Sequence, residues 1–104
     1  MATVLVVEER FVSGFLCSAL EQRGYRVICA TADAARATLG RDSGTVDLLI
    51  TNTPLVFADS AGLPLLYLAA CPDEKVIEPF DRALALAKPF HPRQLFDCVR
   101  RLLG

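Results

Sequence analysis

Polar side chains that could do chemistry follow three apolar runs of this sequence, at the point where each run ends. Glu8 and Glu9 follow TVLVV, Asn52 follows VDLLIT, and Lys88 follows ALALA. Adjacent carboxylates can bind a divalent cation, and a lysine ammonium can hold an anion or pair with a carboxylate. For Glu8 and Glu9 we favour a solvated strand end over a residual cation site, and for Lys88 an ion pair over an anion site. Asn52 is neutral and poorly nucleophilic, although it can cap a turn.

The composition limits the classes of function. The chain has 104 residues, 53% of them hydrophobic and 22% charged, and a net charge of −1. It therefore predicts one folded domain over residues 1–104, with no global field to steer DNA or an anionic membrane to it. No apolar run approaches the ~20 residues of a membrane span, and no signal peptide is recognisable. We expect a cytoplasmic protein that binds neither DNA by itself nor membranes.

The cysteines show no metal-site spacing. Cys17, Cys29, Cys71 and Cys98 include no Cys-x-x-Cys pair, and His91 is the only histidine. Zinc sites in short domains normally show such pairs. We expect reduced, partly buried thiols without a redox or zinc role, and an exposed His91 near the start of the last helix.

Strands and helices alternate along the chain. Apolar runs rich in β-branched residues or leucine predict strands over residues 3–7, 25–30, 46–51, 63–70 and 83–87. Apolar stripes predict a first helix within residues 11–23 with Gly24 just beyond it, and a last helix over residues 92–103. A second helix should begin after Thr31 as N-cap and end at Gly40, followed by a loop over residues 41–45. Its inward face should carry Ala34, Ala35, Thr38 and Leu39.

This alternation predicts an α/β fold with a doubly wound, five-stranded parallel sheet. Functional groups in such sheets gather at the carboxyl ends of the strands. The third and fourth crossovers, residues 52–64 and 71–82, are short and rich in proline. A parallel crossover needs about a dozen residues and usually holds a helix. We therefore expect these two helices to be shortened or missing, which leaves Phe57 and Phe80 as candidate exposed contact residues.

The layout resembles the receiver domain of two-component response regulators, a flavodoxin-like fold. The resemblance covers nearly the whole chain, and its most specific element is the Lys-Pro pair at the end of the fifth strand. The matching segments are VLVVEE, GYRV, VDLLITN, PLLYLAA and LAKPF. In that family the Lys-Pro bond is often cis, an isomer that costs only ~0.5 to 1 kcal/mol for an X-Pro bond.

The resemblance also implies what this sequence has lost. In the family an aspartate accepts a phosphoryl group, an acidic pair holds Mg²⁺, and a strand-four hydroxyl and a lysine contact the phosphoryl oxygens. Asn52 stands at the position of the phosphoacceptor, Glu8 and Glu9 at the acidic pair, and Ala69 at the hydroxyl. Lys88 and Pro89 are retained, and without a phosphoryl group Lys88 should pair with Glu8 or Glu9. We expect no catalytic residue and no cofactor, with Glu8 and Glu9 as the one pair that could still hold Mg²⁺ weakly.

These departures predict a non-enzymatic pseudo-receiver, a phosphorylation-incompetent signalling module of a two-component or phosphorelay system. It should act by contacts with another signalling protein or domain, such as a histidine kinase, a regulator or an effector, and a homodimer is also possible. The contact surface should include the loops and sheet edge exposed by the stunted crossovers, and the last helix with Arg93. The alternative is a pseudo-receiver that senses a nucleotide second messenger in the strand-end crevice, bordered by Lys88 and Arg93. A third, least favoured alternative uses Thr51 or Thr53 as phosphoacceptor.

Overall fold

The computed structural model describes residues 1–104, except for the side chains of residues 42 and 43. Five strands form one parallel sheet in the order β2-β1-β3-β4-β5. The strands are β1 (Thr3–Val7), β2 (Arg26–Cys29), β3 (Leu48–Thr51), β4 (Leu65–Ala69) and β5 (Ala83–Ala87). The α-helices are α1 (Arg10–Gln22), α2 (Ala32–Asp42) and α3 (Pro92–Leu103). The predicted doubly wound α/β fold is confirmed.

Alternate residues of the strands build a core on each face of the sheet. Val4 and Val6 of β1 pack with α1 and α3, whereas Leu5 and Val7 pack with α2 and the stunted crossovers. Successive strand side chains point to opposite faces, so a central strand covered on both sides must be apolar throughout. This double burial explains the continuous apolar runs that predicted β1, β3 and β4.

The two short crossovers hold 3₁₀ helices instead of α-helices, over Pro54–Ser60 and Glu74–Ile77. The prediction that these crossover helices are shortened is therefore confirmed. The suggestion that Phe57 and Phe80 are exposed is wrong, because they are only 2% and 7% exposed. With no long helix to cover this part of the sheet, each crossover buries one aromatic ring against it.

Helix ends agree with the sequence in part. Gly24, just beyond α1, has a φ of +89°, the left-handed conformation expected of a glycine after a helix. Thr31 Oγ1 accepts a hydrogen bond from Ala34 N at 3.2 Å, as predicted for an N-cap.

The predicted end of α2 is wrong. The helix continues through Gly40 to Asp42, and Ser43–Thr45 form a 3₁₀ turn where a loop was expected. A glycine near a helix end raises the local free energy by only ~1 kcal/mol and does not oblige the helix to stop. On the inward face Ala35 and Leu39 are buried and Thr38 is half-buried, but Ala34 is exposed.

Among the helices whose residues are described, none is long and apolar enough to cross a membrane.

Candidate functional site

The parallel sheet brings the predicted site residues to one edge. The carboxyl ends of β1 and β3 lie side by side, and β4 and β5 follow in order. Glu8, Asn52, Ala69 and Lys88 stand at or just beyond these four ends. The residues singled out from the sequence therefore lie along the same edge of the sheet.

Glu8 and Lys88 form an ion pair across the crevice. Lys88 Nζ lies 2.8 Å from Glu8 Oε2, with the Glu8 side chain fully buried and that of Lys88 25% exposed. Glu8 Oε1 accepts a hydrogen bond from Glu9 N at 3.0 Å, but Oε2 has no partner with hydrogen-bond geometry among the described residues. The lysine charge is therefore what compensates the burial of Oε2. The sequence-based prediction that Lys88 pairs with Glu8 or Glu9 is confirmed for Glu8.

The backbone around Lys88 fixes the position of its side chain. Lys88 N donates a hydrogen bond to Ala69 O at 2.8 Å, which extends the pairing of β4 and β5 by one residue. The Lys88–Pro89 peptide bond is cis, the isomer that the resemblance suggested.

Glu9 has a different task from Glu8. It is the N-cap of α1, and its carboxylate accepts hydrogen bonds from Val12 N at 2.7 Å and Phe11 N at 3.3 Å. An acceptor at this position satisfies amide groups that the first helical turn leaves unpaired. The predicted solvated strand end is therefore wrong for Glu8, whose side chain is buried in an ion pair, whereas Glu9 is exposed and also caps α1.

Asn52 is exposed at the tip of β3, and its carboxamide makes no hydrogen bond with another described residue. The turn that follows β3 is closed by Thr51, whose Oγ1 accepts a hydrogen bond from Thr53 N at 3.1 Å. The Oγ1 atoms of Thr51 and Thr53 are a further 3.2 Å apart. Thr51, and not Asn52, therefore caps this turn.

An open, mainly apolar cavity of about 310 Å³ lies beside Asn52. Tyr67 of β4 is 8% exposed and forms part of its wall. Its other lining residues come from both short crossovers and the end of β3: Asn52, Thr53, Pro54, Leu55, Val56 and Val76. Ala69, at the end of β4, is half-buried and offers only a methyl group where the resemblance expects a hydroxyl.

The chemistry available at this edge is limited. The tip residue is a carboxamide, one carboxylate is neutralised by a lysine, and the other is bound to two amide groups. Among the described residues, no group of three or more His, Cys, Asp or Glu side chains is placed to hold a metal ion. The arrangement offers hydrogen bonding and apolar contact, and the carboxamide at the tip of β3 is not a nucleophile.

The capping role of His91 was not predicted from the sequence. His91 is exposed as predicted, but it also caps α3, with Nδ1 accepting from Arg93 N at 3.1 Å and Gln94 Oε1 accepting from His91 N at 2.8 Å. The Pro at the first helical position was the available signal for a cap at His91.

The exposure of four apolar side chains on α1 and the third crossover was also not predicted from the sequence. Phe11 is 85% exposed and Phe15 43% exposed on α1, and Leu55 and Val56 of the third crossover are 62% and 41% exposed. Phe11 lies outside the apolar stripe of α1, which was a usable signal, whereas Phe15 belongs to that stripe. Phe15 lies at the margin of the core, with its ring centroid 6.1 Å from that of Phe90.

Comparison with known proteins agrees with this architecture. No family model matches the sequence, and no curated protein matches it either. Solved structures do match over almost the whole chain. Chemotaxis protein CheY4 of Vibrio cholerae has a TM-score of 0.85 and 22% identity, covering 99% of each chain. The non-phosphorylated HemR receiver domain of Leptospira biflexa has a TM-score of 0.84 and 23% identity, covering 100% of this chain and 95% of its own.

The receiver domain of the hybrid histidine kinase CckA is also structurally similar to this chain over its whole length. Its TM-score is 0.80 at 22% identity, and the match covers 99% of this chain and 100% of that domain. At such identities the similarity concerns the fold. The five-stranded parallel sheet of this chain, with its acidic, amide and lysine side chains at one edge, has the fold of response regulator receiver domains.

Proposed function

We propose that this chain is a phosphorylation-incompetent receiver-like module of a two-component or phosphorelay system, which acts by contacts with another protein or domain. The observation that carries the proposal is Asn52 at the tip of β3, at the strand-end edge of a sheet with the fold of a receiver domain. A carboxamide has no negative charge with which to attack a phosphoryl group, so an acyl phosphate cannot form on it.

The neighbours of Asn52 support the same conclusion. Mg²⁺ requires near-octahedral oxygen ligands and usually takes one or two free carboxylates. Glu8 is already paired with Lys88, and Glu9 already accepts two amide hydrogen bonds of α1. Binding Mg²⁺ in the crevice would therefore break an ion pair or a helix cap.

The surface that would carry the contacts lies at the stunted crossovers. Leu55 and Val56 project from the third crossover beside the apolar cavity. Contiguous exposed apolar side chains mark interaction sites, whereas singly scattered ones are normal on a monomer. A histidine kinase, a regulator or an effector with a complementary apolar surface is the kind of partner that fits.

The outer edge of β5 adds unpaired backbone groups to this surface. Leu65 N donates to Arg82 O at 2.9 Å and Lys88 N donates to Ala69 O at 2.8 Å, so the even-numbered residues of β5 face β4. The intervening residues turn their amide and carbonyl groups outward, with no hydrogen-bond partner among the described residues: Ala83, Ala85 and Ala87. An edge of this kind can add a strand from a partner or from a second copy of the chain.

The test of the proposal is covalent chemistry at the crevice. The full chain is incubated with acetyl phosphate and Mg²⁺ and its intact mass is measured, with an active receiver domain as positive control. We expect no adduct of one phosphoryl group on this chain. An acid-stable or labile adduct on Asn52, Thr51, Thr53 or any other residue of the folded domain would overturn the proposal.

The variant Asn52→Asp tests whether phosphorylation is prevented by the carboxamide alone or also by the residues around it. We expect it to remain poorly phosphorylated, because Glu8, Glu9 and Ala69 still fail to supply the metal ligands and the hydroxyl. Rapid phosphorylation of Asn52→Asp would leave the wild-type conclusion intact and would show that the carboxamide alone is responsible.

The nucleotide-sensing alternative gains no specific support. Lys88 is held by Glu8, and neither Lys88 nor Arg93 is among the residues that line the cavity. The cavity therefore lacks the two cationic side chains that would attract a phosphate-bearing ligand to it.

A further inference from the structure

Two cysteines lie on neighbouring elements where α1 packs against β2. Cys17 lies in the middle of α1, and Cys29 is the last residue of β2, at the open edge of the sheet. Cys29 Sγ is 3.8 Å from Ser13 O, the carbonyl one helical turn before Cys17. In an α-helix that same carbonyl accepts the amide hydrogen of Cys17. The Cys29 sulfur is thus placed against the turn of α1 that carries Cys17.

The two thiols differ in their surroundings. Cys29 is exposed, whereas Cys17 is half-buried and donates a hydrogen bond from Sγ to Glu21 Oε1 at 3.3 Å. Burial, together with the hydrogen bonds to Glu21 and Cys29, raises the pKa of the Cys17 thiol to about 12. Cys29 is therefore the thiol that an external reagent reaches first, because it is exposed, whereas Cys17 is half-buried and its thiolate forms less readily.

We propose that Cys17 and Cys29 form a reversible redox pair that is oxidised by a hydroperoxide. This role does not depend on the proposed contact function. It adds a covalent input to a scaffold whose phosphoacceptor position holds an amide.

The chemistry takes place in two steps. The Cys29 thiolate attacks one oxygen of hydrogen peroxide, the O–O bond breaks, and the leaving hydroxide takes up a proton to form water. Cys29 is then a sulfenic acid. The Cys17 thiol gives its proton to the Glu21 carboxylate that accepts its hydrogen bond, and the resulting thiolate attacks Cys29 Sγ. The S–O bond breaks, and the leaving hydroxide takes up that proton to form a second water. Two thiols have lost two electrons to one peroxide, and one disulfide joins α1 to β2.

Such a bond would tie α1 to the edge strand of the sheet. The same helix carries the exposed Phe11 and begins at the Glu9 cap, next to the Glu8–Lys88 pair. Oxidation would therefore constrain the helix that leads out of the strand-end crevice.

The test uses the full chain in its reduced form. It is treated with hydrogen peroxide, quenched with an alkylating reagent and analysed by intact mass and peptide mapping. We expect a loss of two hydrogens, a Cys17–Cys29 linked peptide and full reversal by dithiothreitol. The double variant Cys71→Ser/Cys98→Ser should behave in the same way, since it keeps the pair and removes the other thiols.

Single variants identify the order of the steps. In the Cys71→Ser/Cys98→Ser background, Cys17→Ser should stop at the sulfenic acid of Cys29, which dimedone labels. In the same background, Cys29→Ser should give neither the label nor the disulfide. Thermal unfolding of each variant checks that it is folded. Linkage through Cys71 or Cys98 in the wild type, or irreversible oxidation of Cys29 with no linked peptide, would overturn the proposal.

Discussion

At the scale of single residues, the most consequential interaction is the ion pair between Glu8 and Lys88. A carboxylate buried completely at the end of a central strand is costly unless an opposite charge lies beside it. Lys88 supplies that charge at 2.8 Å from the last position before the cis bond. The pair holds the carboxyl ends of β1 and β5 together across the two strands that separate them.

Removal of the lysine charge should therefore destabilise the fold. Breaking a buried pair by deleting one partner costs about 3–5 kcal/mol. Since Lys88 is 25% exposed, we expect Lys88→Met to cost less, about 2 kcal/mol in the free energy of unfolding. The measurement is urea denaturation followed by circular dichroism.

The control is the double variant Glu8→Gln/Lys88→Met, which removes both charges. It should recover a large part of the loss, because no uncompensated carboxylate remains. If the double variant loses as much unfolding free energy as Glu8→Gln and Lys88→Met lose in total, the two charges are not energetically coupled.

At the scale of elements, α1 shows how the same residue type has opposite roles at two positions. Gly14 lies in the exposed interior of the helix with open space around its Cα, whereas Gly24 lies beyond the helix end with a φ of +89°. Glycine weakens a helix interior, but it is favoured where the backbone must be left-handed.

Alanine at these two positions should change stability in opposite directions. Gly14→Ala should stabilise the protein by about 0.5–1 kcal/mol, because alanine has a higher helix propensity and meets no neighbour. Gly24→Ala should destabilise it by about 1 kcal/mol, since an L-residue is strained at this φ. Thermal and urea unfolding of the two variants side by side measure both signs, and a shift in the same direction for both would contradict this account.

The elements themselves were largely predictable. β1, β5 and α3 have the bounds that their patterns indicate, because apolar periodicity and the flanking glutamate and proline residues are local signals. The end of α2 was not predictable from Gly40, since the helix continues through it at a modest cost in propensity. The length and prolines of the two crossovers predicted that their helices are short. They did not predict which crossover residues face inward.

At the scale of the whole molecule, the core on the α2 face of the sheet depends on those crossovers. Phe57 and Phe80 fill space that α-helices of normal length would cover, and each is packed with strand residues of that face. The neighbouring Leu55 is 62% exposed and does not belong to this core.

Truncation of these two side chains should therefore have very different effects. Phe57→Ala removes a ring that is 2% exposed and should cost about 3 kcal/mol in the free energy of unfolding. Leu55→Ala is the matched control and should cost less than about 0.5 kcal/mol. The measurement is the urea midpoint of each variant, and equal losses would mean that the crossover does not pack as described. Leu55→Ala would then also be the variant with which to test partner binding, because it leaves the fold unchanged.

The sequence by itself determined the order of strands and helices, the shortened crossovers and the chemical identity of Asn52, because periodicity and residue type are local properties. Only the tertiary structure decided that Glu8 pairs with Lys88 while Glu9 caps α1, and that Phe57 and Phe80 are buried. It also decided that Cys29 lies against the turn of α1 that carries Cys17. These outcomes depend on which distant segments the parallel sheet brings together. Contacts of that kind follow from strand order and crossover path, and no spacing along the chain specifies them.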